Sequence, residues 1–426
     1  MKILIKDGHV VDPATGIDGV MDILVEDGVI TGVGKHIKCE ADDVILAQGK
    51  YVMPGFTDLH VHLREPGFEY KETIKTGAMA AARGGFTTIC PMPNTKPVID
   101  SADMIEFLLN KAKEEACVRI VPIGAITKGQ NGDVLSDIEA MVEKGAGALS
   151  EDGKSVMDTR LYKEAMDIAA RIGVPIFAHC EDKSLVGKGV MNLGDKSREL
   201  GLEGISNAVE DIIAIRDILL AKETGAQLHL CHCSTKDSVE FVKWAKEQGL
   251  KVTGEVCPHH FAMSDDEIPC DDANYKMNPP LRSRADVEAL KQGLKDGIMD
   301  VIATDHAPHS KEEKEKSMKD APFGIVGLET AFALSVTKLV KTGVLTMSQL
   351  VEKLSYNPAR IAHTDGGTLE VGRKADIVIA DIDEEYRIDA SKFASMGHNT
   401  PFDQKTVSGK ILLTMVDGNV VYKAEN

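Results

Sequence analysis

Apolar and polar residues alternate with a period of two near the start of the chain, in "KILIKDGHVVD" and then "MDILVEDGVITGVG". Such alternation gives an extended segment one face for a core and one for water, so both stretches read as strands. Each contains Asp-Gly, the pair best suited to a two-residue hairpin turn, and each is expected to turn there. The C-terminal part repeats the signature in "ADIVIADID" and "KILLTMVDGNVVYK". Two strand-rich ends around a different middle predict one small β-sandwich domain built from residues 1–54 and 366–426. Two separate edge hairpins are the alternative.

From 55 to 365 the rhythm changes. Short apolar runs alternate with helical patterns, as βαβ units require. The strand candidates are "GFTDLHVHL", "GFTTICPMPN", "RIVPIGAIT", "GAGALSEDG", "VPIFAHCED", "AQLHLCHCS", "KVTGEVCPHH" and "DVIATDHAPH". Between them, "SADMIEFLLNKAKEEA" places Met104, Ile105, Leu108, Leu109 and Ala112 on one helical face behind the cap candidate Ser101. Other helices are expected to stop at Gly173, Gly225, Gly249 and Gly297, each just before a strand. Eight strands in strict alternation favour an α/β (β/α)8 TIM barrel over a doubly wound sheet. The charged "SKEEKEKSMKD" after the eighth strand reads as a mobile loop.

Composition narrows the function classes. Lys and Arg total 49 against 67 Asp and Glu, a net charge of −18, which argues against a nucleic-acid binder. The chain lacks an apolar run long enough to cross a bilayer and a leader's apolar core, so a cytoplasmic location is expected. The eight cysteines are scattered and read as reduced packing residues. Strand parity turns Cys231 and Cys233 away from the face that carries His232.

The chemistry gathers at predicted strand ends, where a barrel of this kind carries its active site. His60 and His62 stand two apart on the first strand and share a face. Asp152, His179, His232 and Asp305 end the fourth, fifth, sixth and eighth strands. Singly, each has an ordinary reading: a core histidine, a turn aspartate, a helix cap. Together they form a His/carboxylate set suited to zinc, and six ligands exceed one tetrahedral ion. Such a site generates hydroxide at neutral pH and polarises a carbonyl, the machinery of hydrolysis. Asp305 is the candidate base that would return a proton to a leaving nitrogen. Arg64, Asn94, Asn278 and His309 are candidates for holding an anionic substrate, with surface or turn roles as the plainer reading. His259 and His260 of "EVCPHH" are expected to be structural.

The motifs "DLHVHLREPG", "MPNT", "SEDG", "AHCED", "HLCHCST", "EVCPHH", "MNPPLR", "TDHAPH" and "APFGIVGLE", in this order, resemble the amidohydrolase superfamily and within it the bacterial class I dihydroorotases. The resemblance implies reversible cyclisation of N-carbamoyl-L-aspartate to dihydroorotate, a step of pyrimidine biosynthesis. By motif it assigns His60, His62, Asp152, His179, His232 and Asp305 to the metal, two zinc ions with Asp152 as bridge. Many superfamily members use a carboxylated lysine instead, and Lys154 is the competitor by position. It assigns substrate contacts to His62, Arg64, Asn94, Asn278, His309 and the backbone of Phe323 and Gly324, with the charged loop placed to cover them. A homodimer and association with aspartate transcarbamoylase are the partners it suggests. The competing readings are a related cyclic amidase (hydantoinase or allantoinase) and a non-catalytic scaffold; the filled ligand positions and Arg64 weigh against both.

Overall fold

The structure is a computed structural model and describes residues 1–425. Both termini build a single eight-stranded sheet. Its order runs Asn419–Lys423, Thr406–Val416, Ile377–Arg387, Tyr51–Pro54, Lys2–Asp12, Ile17–Glu26 and Val29–Gly34, with Asp43–Leu46 paired to Lys2–Asp12. Ile3, Ile5, Val10, Ile23, Val25, Val52, Ile377 and Met415 form its buried core, the inward half of the alternation. Hairpins turn at Asp27-Gly28 and Asp417-Gly418, where all four residues have positive φ. The turn expected at Asp7-Gly8 is not one. The strand runs on through a register shift between Ile5 and Gly8, and a Cβ on Gly8 would lie 2.4 Å from Val52 Cγ2. Here glycine serves a close approach between strands inside a bulge, a use the dipeptide does not distinguish from a hairpin.

All eight expected strands of the middle region form. They are Phe56–Val61, Phe86–Pro91, a third in two pieces (Arg119–Ile120 and Ile123–Ala125), Ala148–Ser150, Ile176–Ala178, Leu228–Leu230, Val252–Val256 and Val301–Ile302. Pro122, which has no N–H to donate, sits at the break in the third. Pairing is parallel throughout, from the first strand to Arg119–Ile120 and from Ile123–Ala125 to the eighth. Val61 and His306 add a parallel bridge between the first strand and the residues after the eighth, where His62 N–H donates to His306 O at 2.8 Å.

Helices pack outside these strands. Ala102–Glu115 starts where expected, with Ser101 Oγ accepting from Met104 N–H. Thr159–Ile172 and Ala208–Thr224 end on left-handed Gly173 and Gly225. Gly249 and Gly297, just beyond two other helices, have φ of 70° and 71°. No helix among the described residues is long and apolar enough to cross a membrane.

Candidate active site

The six candidate ligands meet at one end of the strands. His60 is still in the first strand, whereas His62, Asp152, His179, His232 and Asp305 follow the last residue of theirs by one to three positions. Asp152 is at the middle. Its carboxylate lies 3.2 Å from His60 Nε2, 3.5 Å from His62 Nε2, 3.4 Å from His179 Nδ1 and 3.7 Å from His232 Nε2. Asp305 Oδ1 stands 3.1 Å from His62 Nε2 and 3.6 Å from His60 Nε2. Glu151 turns the other way and accepts from Thr127 N–H at 3.0 Å. Lys154 reaches Gln130 O and takes no part in the cluster. Arg64, His232 and Asp305 have φ of 62°, 34° and 49°, left-handed backbone that costs a non-glycine residue about 1–3 kcal/mol.

A buried partner fixes the tautomer of His60 and of His62. His60 Nδ1 faces Glu255 Oε1 at 2.9 Å, and His62 Nδ1 faces Asn94 Oδ1 at 2.9 Å. Both oxygens only accept, so both Nδ1 atoms carry the proton and each Nε2 directs a lone pair at carboxylate oxygens. His60 Nε2 is fully buried and makes no hydrogen bond. Lone pairs facing carboxylates repel unless a cation lies between them. The residues therefore fit a divalent metal; burial lowers the pKa of His62, whereas the same field raises that of two other imidazoles. Burial opposes it, yet the hydrogen bonds of Asp152 and Glu181 lift His179 to about 10, and Asp152 lifts His60 well above the usual range. Burial likewise works to raise Asp305, but His62 and the charge of His60 hold its carboxyl far below the ordinary value.

Glu255 escaped the sequence reading. It is fully buried and also accepts from His232 N–H and His229 Nε2, both at 3.0 Å. A lone glutamate in the otherwise apolar "KVTGEVC" was the signal. Cys231 departs from expectation as well. Strand six ends at Leu230, so parity does not carry to 231–233, and Cys231 comes within ligand distance of His60 and Glu255. His260 Nε2 donates to Pro279 O at 3.0 Å, and burial pushes this imidazole down to about 3. His259 Nε2 is buried without a partner.

One side of the cluster is cationic. Arg64 Nε donates to Pro308 O at 3.1 Å, which sets its guanidinium against His309. His309 Nε2 donates to Phe323 O at 2.7 Å and Nδ1 accepts from Lys71 Nζ at 3.2 Å. Burial, then Arg64 and Lys71, keep this imidazole neutral by lowering its pKa. Asn94 Nδ2 donates to Asp152 at 3.1 Å, and Asn278 donates to Glu181, which neighbours His179 at 3.4 Å. Gly324 has φ of 129°, and a Cβ there would fall 2.7 Å from that of Ala307 and 3.1 Å from His309 Nε2. The charged stretch read as a mobile loop instead opens with a capped turn, Lys311–Lys314, and buries Lys314 and Met318. Its burial was hidden because the residue that anchors it is itself a lysine.

Comparison with known proteins agrees with this geometry. The Dihydro-orotase-like family matches residues 49–238. A dihydroorotase of Acetivibrio thermocellus is 50% identical over 423 residues, covering 99% of both chains, and one of Anoxybacillus flavithermus is 51% identical over 403 residues, covering 94% of both. The chain belongs to the dihydroorotase family. Among solved structures, the L-hydantoinase of Arthrobacter aurescens superposes with a TM-score of 0.89 at 29% identity, over 100% of this chain and 96% of that one. The family is thus one of cyclic amide hydrolases, and its α/β architecture is shared with hydantoinases.

Proposed function

We propose that the protein interconverts N-carbamoyl-L-aspartate and dihydroorotate, with His60, His62, Asp152, His179, His232 and Asp305 holding two zinc ions and Asp152 between them. The observation that carries this reading is the position of Asp152, its carboxylate within reach of four imidazoles, two of which, His60 and His62, have their outer nitrogens fixed by other partners. Bound zinc would supply Lewis acidity, lowering the pKa of water and polarising the amide carbonyl.

The remaining work falls to side chains. Oδ1 of Asp305 faces the ring nitrogens of His62 and His60 within the ligand cluster, leaving Oδ2 to carry a proton. In hydrolysis that oxygen takes the proton of the attacking water and delivers it to the ring nitrogen as the C–N bond breaks. In cyclisation it takes the proton from the ureido nitrogen and returns it to the departing water. Arg64, with Asn94, Asn278 and His309, would orient the carboxylate that survives both directions, and the backbone of Phe323 and Gly324 would border the ring.

The eight parallel strands and the Val61–His306 bridge support a closed (β/α)8 ring over 55–365, with residues 1–54 and 366–426 as the second domain. The deciding experiment is turnover of dihydroorotate, hydantoin and allantoin by metal-analysed protein, with and without added zinc. Activity on the latter two alone would reject this substrate; no metal and no turnover with zinc would favour a scaffold. Gel filtration alone and with aspartate transcarbamoylase tests the homodimer and that association.

A further inference from the structure

The segment Ala321–Gly324 borders the cationic side of the site, and each of its four carbonyls is taken by a side-chain donor. Lys276 Nζ donates to Ala321 O at 2.6 Å. Lys314 Nζ donates to Pro322 O at 3.1 Å and to Gly324 O at 2.8 Å, the latter shared with Asn399. His309 takes Phe323 O. The third proton of Lys314 goes to Lys276 O at 3.3 Å, and the same oxygen accepts from Gly324 N–H at 3.0 Å. Lys276 Nζ also lies 4.3 Å from the centre of the Phe323 ring.

Both lysines are buried, at 4% and 7% exposure, and neither makes an ion pair among the described residues. A buried ammonium without a carboxylate is expensive, because its hydration is lost with only dipoles in return. Stability alone does not explain two of them so close together. Their neighbours toward the site are Arg64 and Lys71, so four basic groups surround His309 and Phe323. Burial lowers Lys276, and burial with Lys276 beside it brings Lys314 to about 7, so an arriving anion would favour its charged form. The nearby acidic groups acting on them are Glu313, which pairs with Lys71, and the outlying Asp271, Asp272 and Asp320.

We propose that Lys276 and Lys314 are positioning residues that select a cyclic amide bearing a carboxylate. They fix Ala321–Gly324 with three of its four carbonyls turned onto the lysines, and they supply ammonium groups where that carboxylate docks. The inference rests on the dihydroorotase reading for its substrate, but the fixing of the segment can be measured without turnover. With carbonyls withdrawn, this edge opposes an anion less, and the uncompensated charge favours dihydroorotate over dihydrouracil, the same ring without the carboxylate.

The test uses zinc-loaded K314M, with K276M, which removes the donor to Ala321 O, in case the first variant fails to fold. Hydrogen–deuterium exchange over 319–326 is expected to rise about tenfold or more, the size of a lost charge-assisted contact. KM for dihydroorotate should rise about tenfold while kcat stays within about threefold, and kcat/KM for dihydrouracil should not fall. Metal content should be unchanged. Exchange within about twofold of wild type would overturn the proposal whatever the activity. Loosened exchange with an unchanged KM would overturn it too. Wild-type protein inactive on dihydroorotate would defeat the substrate reading instead, while exchange still decides the role of the lysines in the fold.

Discussion

Glu255 shows how one buried carboxylate orders a metal site. By taking His60 Nδ1–H it leaves Nε2 as the only free ring nitrogen, and through His232 N–H it fixes the backbone of a second ligand. E255Q should therefore weaken zinc binding by about 10–100-fold, measured by competition with a chromogenic chelator. Unchanged affinity would mean that packing alone orients His60. For Asp305, D305N is expected to retain metal but lose about 10²–10⁴ in turnover, because the amide cannot accept a proton. R64A should act on KM, by about tenfold to a hundredfold, since a carboxylate contact present in ground and transition states alike is removed. At this scale the sequence was most legible where chemistry left a motif. The six ligand candidates all converge. Their supports, Glu255, Lys71, Lys276 and Lys314, were not singled out, because a support is defined by what it touches across the fold.

Elements followed the hydrophobic pattern closely where local geometry governs. Ser101 caps its helix as predicted, and S101A should cost about 1 kcal/mol in chemical denaturation. The helix Ala208–Thr224 carries a different test. Its Asp217 is buried, and burial pushes the carboxyl up to about 6 in spite of Arg216 Nε at 2.8 Å. The folded protein thus holds a proton that the unfolded chain releases between the ordinary aspartate value and about 6. Stability from this group is present below that window and is lost as pH rises through it. The stability difference between wild type and D217N should accordingly move against wild type from about pH 4 to about pH 6 and level off above it. A constant difference would show that Arg216 holds the carboxyl ionised throughout. Parity failed at Cys231, where a three-residue strand ends before the pattern does. The Asp-Gly rule failed at Gly8, where a neighbouring strand approaches instead of a hairpin forming.

For the whole molecule, the candidate ligands come from five different strand ends, so a metal held by them would tie together segments as distant as His60 and Asp305. Removing it with a chelator should abolish turnover and lower Tm, and zinc should restore both. Binding to the folded state alone is worth about 2.7 kcal/mol when free metal is about 100 times Kd. The sheet at the other end joins strands from both termini around one buried core, so truncating either terminus would expose the partner strands of the other.

What the sequence determined by itself was most of what depends on near neighbours: strand alternation, helix caps, glycine stops and the residues at strand ends. Those follow from backbone periods and steric limits acting over a few residues, which a linear pattern records. The convergence of the six ligand candidates was legible for a related reason, since such chemistry requires particular side chains at particular ends. Only the tertiary structure decided that Asp152 lies among four imidazoles, that Glu255 fixes the tautomer of His60, and that a charged stretch is held down by a buried lysine. Each depends on groups brought together from distant parts of the chain, and on burial, which makes a charge costly or useful according to what surrounds it.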